Sequence, residues 1–181
     1  SLVELEPETG KEIVKYGLGN AGAALRGVSY WQGDKENPTE ILAGTTDGRL
    51  IALNARTGKS APGFGNEVTV DLRTGVTEKF PNAPYHMSSP GAVYRNLIIT
   101  GAHGQEDNPD GPAMDVRAWN LDSGKLVLTF HPLPHPGQPG HDSLPQYKRV
   151  TSGPPAHWGG VPLEPPRALP SLRGSQANPP T

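Results

Sequence analysis

The sequence predicts an all-β fold of short antiparallel strands and tight turns, grouped into units the size of propeller blades. Three observations carry this expectation. A turn motif recurs three times, strand-like runs flank strong hairpin signals, and Gly and Pro account for 23 and 21 of the 181 residues. Both residue types oppose helix interiors, so a helical bundle is excluded in favour of a turn-rich chain.

The repeated motif is Leu5-Glu6-Pro7-Glu8-Thr9-Gly10-Lys11, then Leu53-Asn54-Ala55-Arg56-Thr57-Gly58-Lys59, then Trp119-Asn120-Leu121-Asp122-Ser123-Gly124-Lys125. Each copy is an apolar strand end, a polar turn closing on Gly, and a restarting strand. Gly suits the close because a tight turn needs a residue that tolerates positive φ. The glycines stand 48 and 66 residues apart; the first interval fits one four-stranded blade and the second a blade with an insertion. Between the turns, 40–46 and 49–53 flank Asp47-Gly48, a hairpin signal. Residues 92–94 and 97–100 flank Arg95-Asn96, and 115–119 and 125–130 flank the third repeat turn. No long stretch carries a helical period. Beyond Phe130 the character changes: 131–140 is rich in Pro, Gly and His, and the Pro-rich tail is poor sheet material because proline removes a ladder donor. The expected organisation is a partial propeller over 1–142, followed by an irregular continuation over 143–181.

The net charge of −2 provides no basic field for nucleic acid or an anionic membrane. There is no Cys, so neither a disulfide framework nor a thiolate zinc site is available. No apolar run reaches the ~20 residues of a membrane-spanning helix. The first residues lack the basic start and apolar stretch of a signal peptide. The chain opens mid-pattern, as a strand would, which reads as a segment of something longer.

Several motifs in a fixed order carry a family resemblance. Arg26-Gly27-Val28-Ser29-Tyr30-Trp31 resembles the RG-x-x-YW signature of the quinoprotein alcohol and glucose dehydrogenases. The hairpin Gly44-Thr45-Thr46-Asp47-Gly48-Arg49-Leu50 follows, then Ser88-Ser89-Pro90, Leu97-Ile98-Ile99-Thr100-Gly101-Ala102, and Asp115-Val116-Arg117-Ala118-Trp119-Asn120. Order and spacing agree from about residue 2 to 142, and more weakly through His157-Trp158-Gly159-Gly160. The likeness is to the glucose-dehydrogenase-like, membrane-associated branch, since the methanol enzymes carry an adjacent cysteine pair that this chain lacks. The resemblance implies a roughly three-blade segment of an eight-bladed quinoprotein β-propeller. It also implies a periplasmic oxidoreductase that uses pyrroloquinoline quinone (PQQ) and calcium to oxidise an alcohol or a sugar. Hydride would pass to the quinone while a carboxylate takes the hydroxyl proton, and electrons would leave to a respiratory acceptor, a quinone or a cytochrome.

By the same resemblance Arg26 contacts the cofactor, and a guanidinium suits a ligand bearing several carboxylates; the plainer alternative is a surface arginine. Ser88 and Ser89 stand where the family places a hydroxyl against the cofactor, although turn chemistry before Pro90 would also explain them. Gly101, Ala102 and His103 lie on a loop passing close to the cofactor, where small residues permit backbone approach. Gln105 and Glu106 sit where an oxygen ligand to the metal is expected, alongside the alternative of an exposed acidic loop. Trp158 matches a tryptophan that floors the quinone ring, or is an isolated aromatic in the tail. His131, His135 and His141 have the look of a metal cluster, but a His-Pro loop without metal is the favoured reading.

Three departures temper the resemblance. The family follows each repeat turn with a Trp that docks one blade on the next; here Val14, Pro62 and Leu128 hold those positions. Pro170 breaks the strand expected before the metal loop at Ser175 and leaves it one residue short, so its side chains would face the wrong way. The family's catalytic Asp falls downstream of Thr181, and no carboxylate in this chain inherits its role. The expected function is therefore a PQQ-dehydrogenase segment, inactive alone. The alternatives are a non-catalytic propeller-like binding or scaffold module and a gene fragment without a stable fold.

Overall fold

The computed structural model describes residues 1–66, 69–104 and 111–144, together with two short strands further along the chain. Every element is a strand except one 3-10 turn at His141–Ser143. The strands are β1 (Leu2–Leu5), β2 (Glu12–Tyr16), β3 (Ser29–Trp31), β4 (Glu40–Gly44), β5 (Arg49–Asn54) and β6 (Thr69–Asp71). They continue with β7 (Ala92–Tyr94), β8 (Leu97–Thr100), β9 (Val116–Asn120), β10 (Leu126–Phe130), β11 (Leu163–Glu164) and β12 (Leu169–Pro170). Sheet order is β1-β2, then β3-β4-β5-β6, then β7-β8-β9-β10, each an antiparallel meander, plus the minimal pair β11-β12. Two complete four-stranded blades thus follow a hairpin. The tail, expected to be irregular, holds that one short pair.

The three repeat turns share one hydrogen-bond scheme. Gly10, Gly58 and Gly124 have φ of 68°, 62° and 67°. Their N–H groups donate to Glu6, Asn54 and Asn120 O at 2.8, 2.9 and 2.8 Å. The N–H of those same three residues closes each turn onto Lys11, Lys59 or Lys125 O. The hydroxyl before each Gly (Thr9, Thr57, Ser123) accepts from the following Lys N–H at 3.2–3.4 Å. The motif recurs because each of its residues satisfies a backbone group of the turn.

Alternation along β4 and β5 distributes the core over two seams. Leu42, Leu50 and Ala52 face the β7–β10 sheet, in a cluster with Trp31, Phe64, Met87, Ile98 and Trp119. Ala43, Ile51 and Leu53 face the opposite way, packing with Leu18 and the partly buried Leu2 and Tyr16 of the first hairpin. Burial on both faces explains why these strands read as nearly continuous apolar runs. The repeat turns also dock one unit on the next. An ideal Cβ on Gly58 would lie 1.9 Å from Val14 Cγ1, and one on Gly124 would lie 2.4 Å from Gly65 N. Gly65 N–H donates to Ser123 O at 3.2 Å, and Asn37 Nδ2 donates to Asp122 Oδ1 at 2.9 Å.

Where a docking Trp is expected, Val14 does pack onto the next repeat turn. Beside it runs a groove of about 390 Å³ whose lining includes Val3, Val14, Val28, Tyr30 and Ile41. Leu128 lies on the outermost strand and is exposed. The second seam is further clamped by buried Arg117, which donates to Leu72 O, to Thr74 O at 3.0 Å and to Tyr85 Oη at 3.0 Å. Its guanidinium carbon lies 4.8 Å from the Trp119 ring centre, a planar stack that suits Arg over Lys.

Candidate functional site

Arg26 reaches its position because the chain before it pairs with the end of β4. Ala23 bridges Thr45, Ala24 N–H donates to Gly44 O at 2.9 Å, and Thr46 N–H donates to Gly22 O at 2.9 Å. Leu25 is then thrown out to 92% exposure, and Gly27 turns the chain with φ of 120°, a value that favours glycine. Arg26 is thereby delivered to the segment preceding β7. Its N–H donates to Ser88 O at 3.2 Å and its Nη1 to Ser88 Oγ at 3.0 Å. Of the two candidate serines, Ser88 bonds the guanidinium through its hydroxyl. Ser29 Oγ donates to Gly91 O at 2.6 Å, which ties β3 to the start of β7 just beneath this contact.

The segment 85–88 alternates. Tyr85 and Met87 are buried in the core, while His86 and Ser88 are half-buried on the other side. Met87 fits against Gly44, where an added Cβ would stand 2.6 Å from its own Cβ. Ala102 is likewise a core residue, and Gly104 is closely covered by Met114. Between them His103 faces outward opposite His86. The two form an antiparallel bridge, His86 N–H donating to His103 O at 3.1 Å and His103 N–H to His86 O at 2.7 Å. Their rings meet edge to face with centres 5.1 Å apart. Burial, and then the neighbouring His103 ring, hold the His86 imidazole below its ordinary pKa.

The structure brings Arg26 onto Ser88 and, two residues earlier on the same segment, His86 onto His103. Of these, His86 is the one that sequence reasoning passed over. The signal for His86 was the polar–apolar alternation of Tyr85-His86-Met87-Ser88, but its partner is 17 positions away and no local pattern reveals that pairing. Gln105, Glu106, Trp158 and Ser175 lie outside the described residues. His131 and His135 stack at 4.0 Å, and His131 Nδ1 lies 2.8 Å from buried Asp115 Oδ1. This makes the histidine loop a clasp on the end of β10. Among the described residues no group of three or more His, Cys, Asp or Glu is placed to hold a metal ion. No helix among them is long and apolar enough to cross a membrane.

The cradle chemistry is that of an anion reader. A guanidinium presents its donors in a fixed fork beside the Ser88 hydroxyl, an arrangement that suits a carboxylate.

Known proteins resemble this chain over much of its length. The family model for the PQQ glucose/ethanol/alcohol dehydrogenase β-propeller domain matches residues 1–169. The chain is similar to the glycerol dehydrogenase large subunit of Gluconobacter oxydans, 31% identical over 142 residues, covering 71% of this chain and 19% of that protein. It is also similar to the quinohemoprotein alcohol dehydrogenase ADH IIB of Pseudomonas putida, 35% identical over 133 residues, covering 74% and 16%. Among solved structures, the quinohemoprotein alcohol dehydrogenase ADHIIG of Pseudomonas putida superposes with a TM-score of 0.66 at 22% identity, covering 91% of this chain and 24% of that one. That likeness shows the fold. The chain spans about a fifth of the length of the curated relatives it matches.

Proposed function

The chain belongs to the PQQ glucose/ethanol/alcohol dehydrogenase β-propeller family, and from that membership we propose that it contributes the arginine wall of the cofactor site in an enzyme oxidising an alcohol or an aldose. The observation that carries the proposal is the Arg26 Nη1–Ser88 Oγ bond of 3.0 Å, which joins two family-matched positions 62 residues apart. PQQ, when bound, supplies the two-electron acceptor. Arg26 grips its carboxylates in a forked, charge-assisted contact, and Ser88 fixes the orientation of the guanidinium. Ser89, Gly101, Ala102 and His103 form the close floor. By the same family match Glu106 and Gln105 would offer hard oxygen donors of the kind calcium takes, and Trp158 would offer an aromatic face to the quinone ring. In the whole protein the reaction runs in the periplasm, with electrons passing to a respiratory quinone or cytochrome.

The test is equilibrium dialysis of PQQ against the purified chain. Arg26→Ala should weaken binding at least about 10-fold, the scale of one lost charge-assisted hydrogen bond. Arg26→Lys should recover only part, because an ammonium lacks the fork. Unchanged affinity in Arg26→Ala would overturn the assignment. With PQQ and Ca2+ added, the chain alone should reduce no dye with an alcohol or glucose, because the family's catalytic carboxylate has no counterpart among residues 1–181.

A further inference from the structure

We propose that His86 and His103 form an open two-histidine site for a borderline first-row divalent cation, Cu2+ most tightly and Zn2+ next. The two residues face each other across an antiparallel bridge with both reciprocal N–H to O bonds made, so their side chains share one face of the ladder. Tyr85, Met87 and Ala102 beside them are buried in the core, which sends both half-buried imidazoles to the opposite side; His103 Nδ1 is covered there, so Nε2 is its ligating atom. The backbone spacing is thus set before any ligand arrives.

The ring spacing fits one ion. Two imidazoles bound through nitrogen at about 2.0–2.1 Å to one cation would have ring centres roughly 4.5–5 Å apart, from a square-planar to a tetrahedral angle, and the observed separation is 5.1 Å. The planes cross at 73°. The other close pair, His131 and His135, is different in kind: its rings stack 4.0 Å apart at 27°, and His131 Nδ1 is engaged by Asp115. Each imidazole has two nitrogens, so one can keep a protein partner while the other ligates.

Imidazole donors select the cation. Affinity at a nitrogen site rises along the first row to Cu2+ and drops at Zn2+, whereas Ca2+ prefers six to eight oxygens and finds none supplied by this pair. Among the described residues no third His, Cys, Asp or Glu completes a cluster. Arg26 meets the same segment two residues on, but its guanidinium is exposed and bonded to Ser88 Oγ, where solvent and salt screen its repulsion of a cation.

The experiment is titration of the chain with CuCl2 in a non-coordinating buffer, followed by electron paramagnetic resonance. The expected spectrum carries hyperfine structure from two equatorial nitrogens at one Cu2+ per chain, and a large excess of Ca2+ leaves it unchanged. His86→Gln and His103→Gln should each weaken binding about 10-fold or more and reduce the pattern to one nitrogen. His131→Gln/His135→Gln should leave it intact. Absence of stoichiometric binding, or binding lost only in the 131/135 variant, overturns the site. Should either glutamine variant fail to fold, the unmodified chain decides. Substoichiometric Cu2+ must broaden the NMR signals of His86 and His103 first; broadening centred on any of the other four of its six histidines overturns the site.

Discussion

Glu40 shows how a single residue couples this fold to pH. It opens β4 with 3% exposure, and its Oε2 has no hydrogen-bond partner among the described residues. Burial, followed by the carboxylates of Asp122 and Asp34, pushes its pKa up to about 7 from an ordinary 4.5. The folded chain therefore holds a proton that the unfolded chain releases above pH 4.5. Because the folded state binds more protons in that interval, stability falls as pH rises from about 4.5 to about 7, then levels off. The full loss is on the order of 3 kcal/mol. Glu40→Gln removes the ionisation while keeping size and shape. Urea midpoints measured from pH 4.5 to 8.5 should lose the falling contribution of Glu40 in the variant, leaving the rise that the lowered His86 pKa gives as pH climbs toward 6.5, and the variant is the more stable chain at pH 8. Parallel profiles would mean Glu40 is not the titrating group. Nothing in the sequence marks this carboxylate out, since a lone Glu at the head of a strand is ordinary; its burial follows from the docking of the 122 turn from the next blade.

At the scale of elements, the repeat turns hold both the local hairpin and the seam between units. Gly58 illustrates this twice over, with its φ of 62° and the Val14 methyl 1.9 Å from where a Cβ would stand. Gly58→Ala should cost about 2–4 kcal/mol, combining roughly 1–2 for a left-handed L-residue with the strain of an overpacked contact. The two parts separate in a double-mutant cycle. In a Val14→Ala background the same glycine substitution should cost at least about 1 kcal/mol less, because only the backbone penalty remains. Additive losses in denaturant melts would show that Val14 and Gly58 do not touch.

Legibility follows the same division. The strands of the two full blades were readable because alternation and turn chemistry are local; the ends of β4, β5 and β9 fell within two residues of expectation. The three-residue strands β3 and β6 were not, since their pairing is fixed by neighbours rather than by their own composition. The Arg26 and Ser88 positions were readable through ordered motifs. The Arg26–Ser88 contact and the partnership of His86 with His103 needed the long-range pairing, which a single sequence does not encode locally.

For the whole molecule, the distribution of apolar surface sets its behaviour in solution. The middle sheet is covered on both sides, but the outer units are not. On the first hairpin Val3, Leu5 and Ile13 are 44–56% exposed, and on β10 Leu126, Val127, Leu128 and Phe130 are 47–58% exposed. Among the described residues β10 is also an edge strand, with β9 as its neighbour, so it offers backbone groups for pairing beside an apolar face. That combination templates pairing with another chain. Two different surfaces at opposite ends of the strand order make a heterologous contact, which grows open-ended instead of closing as a dimer does. The isolated chain is therefore expected to associate progressively with concentration. Sedimentation velocity across a concentration series should show a continuous rise in mean mass, without a plateau at two copies. Val127→Lys/Leu128→Lys places two cations on the edge strand at its register shift, and should return the chain to a monomer while leaving its thermal midpoint within a few degrees, since both side chains are already solvated. A charged β10 that still associates would shift attention to the groove beside Val14. A parent chain monomeric at high concentration would show that the exposed faces are too small or too twisted to pair.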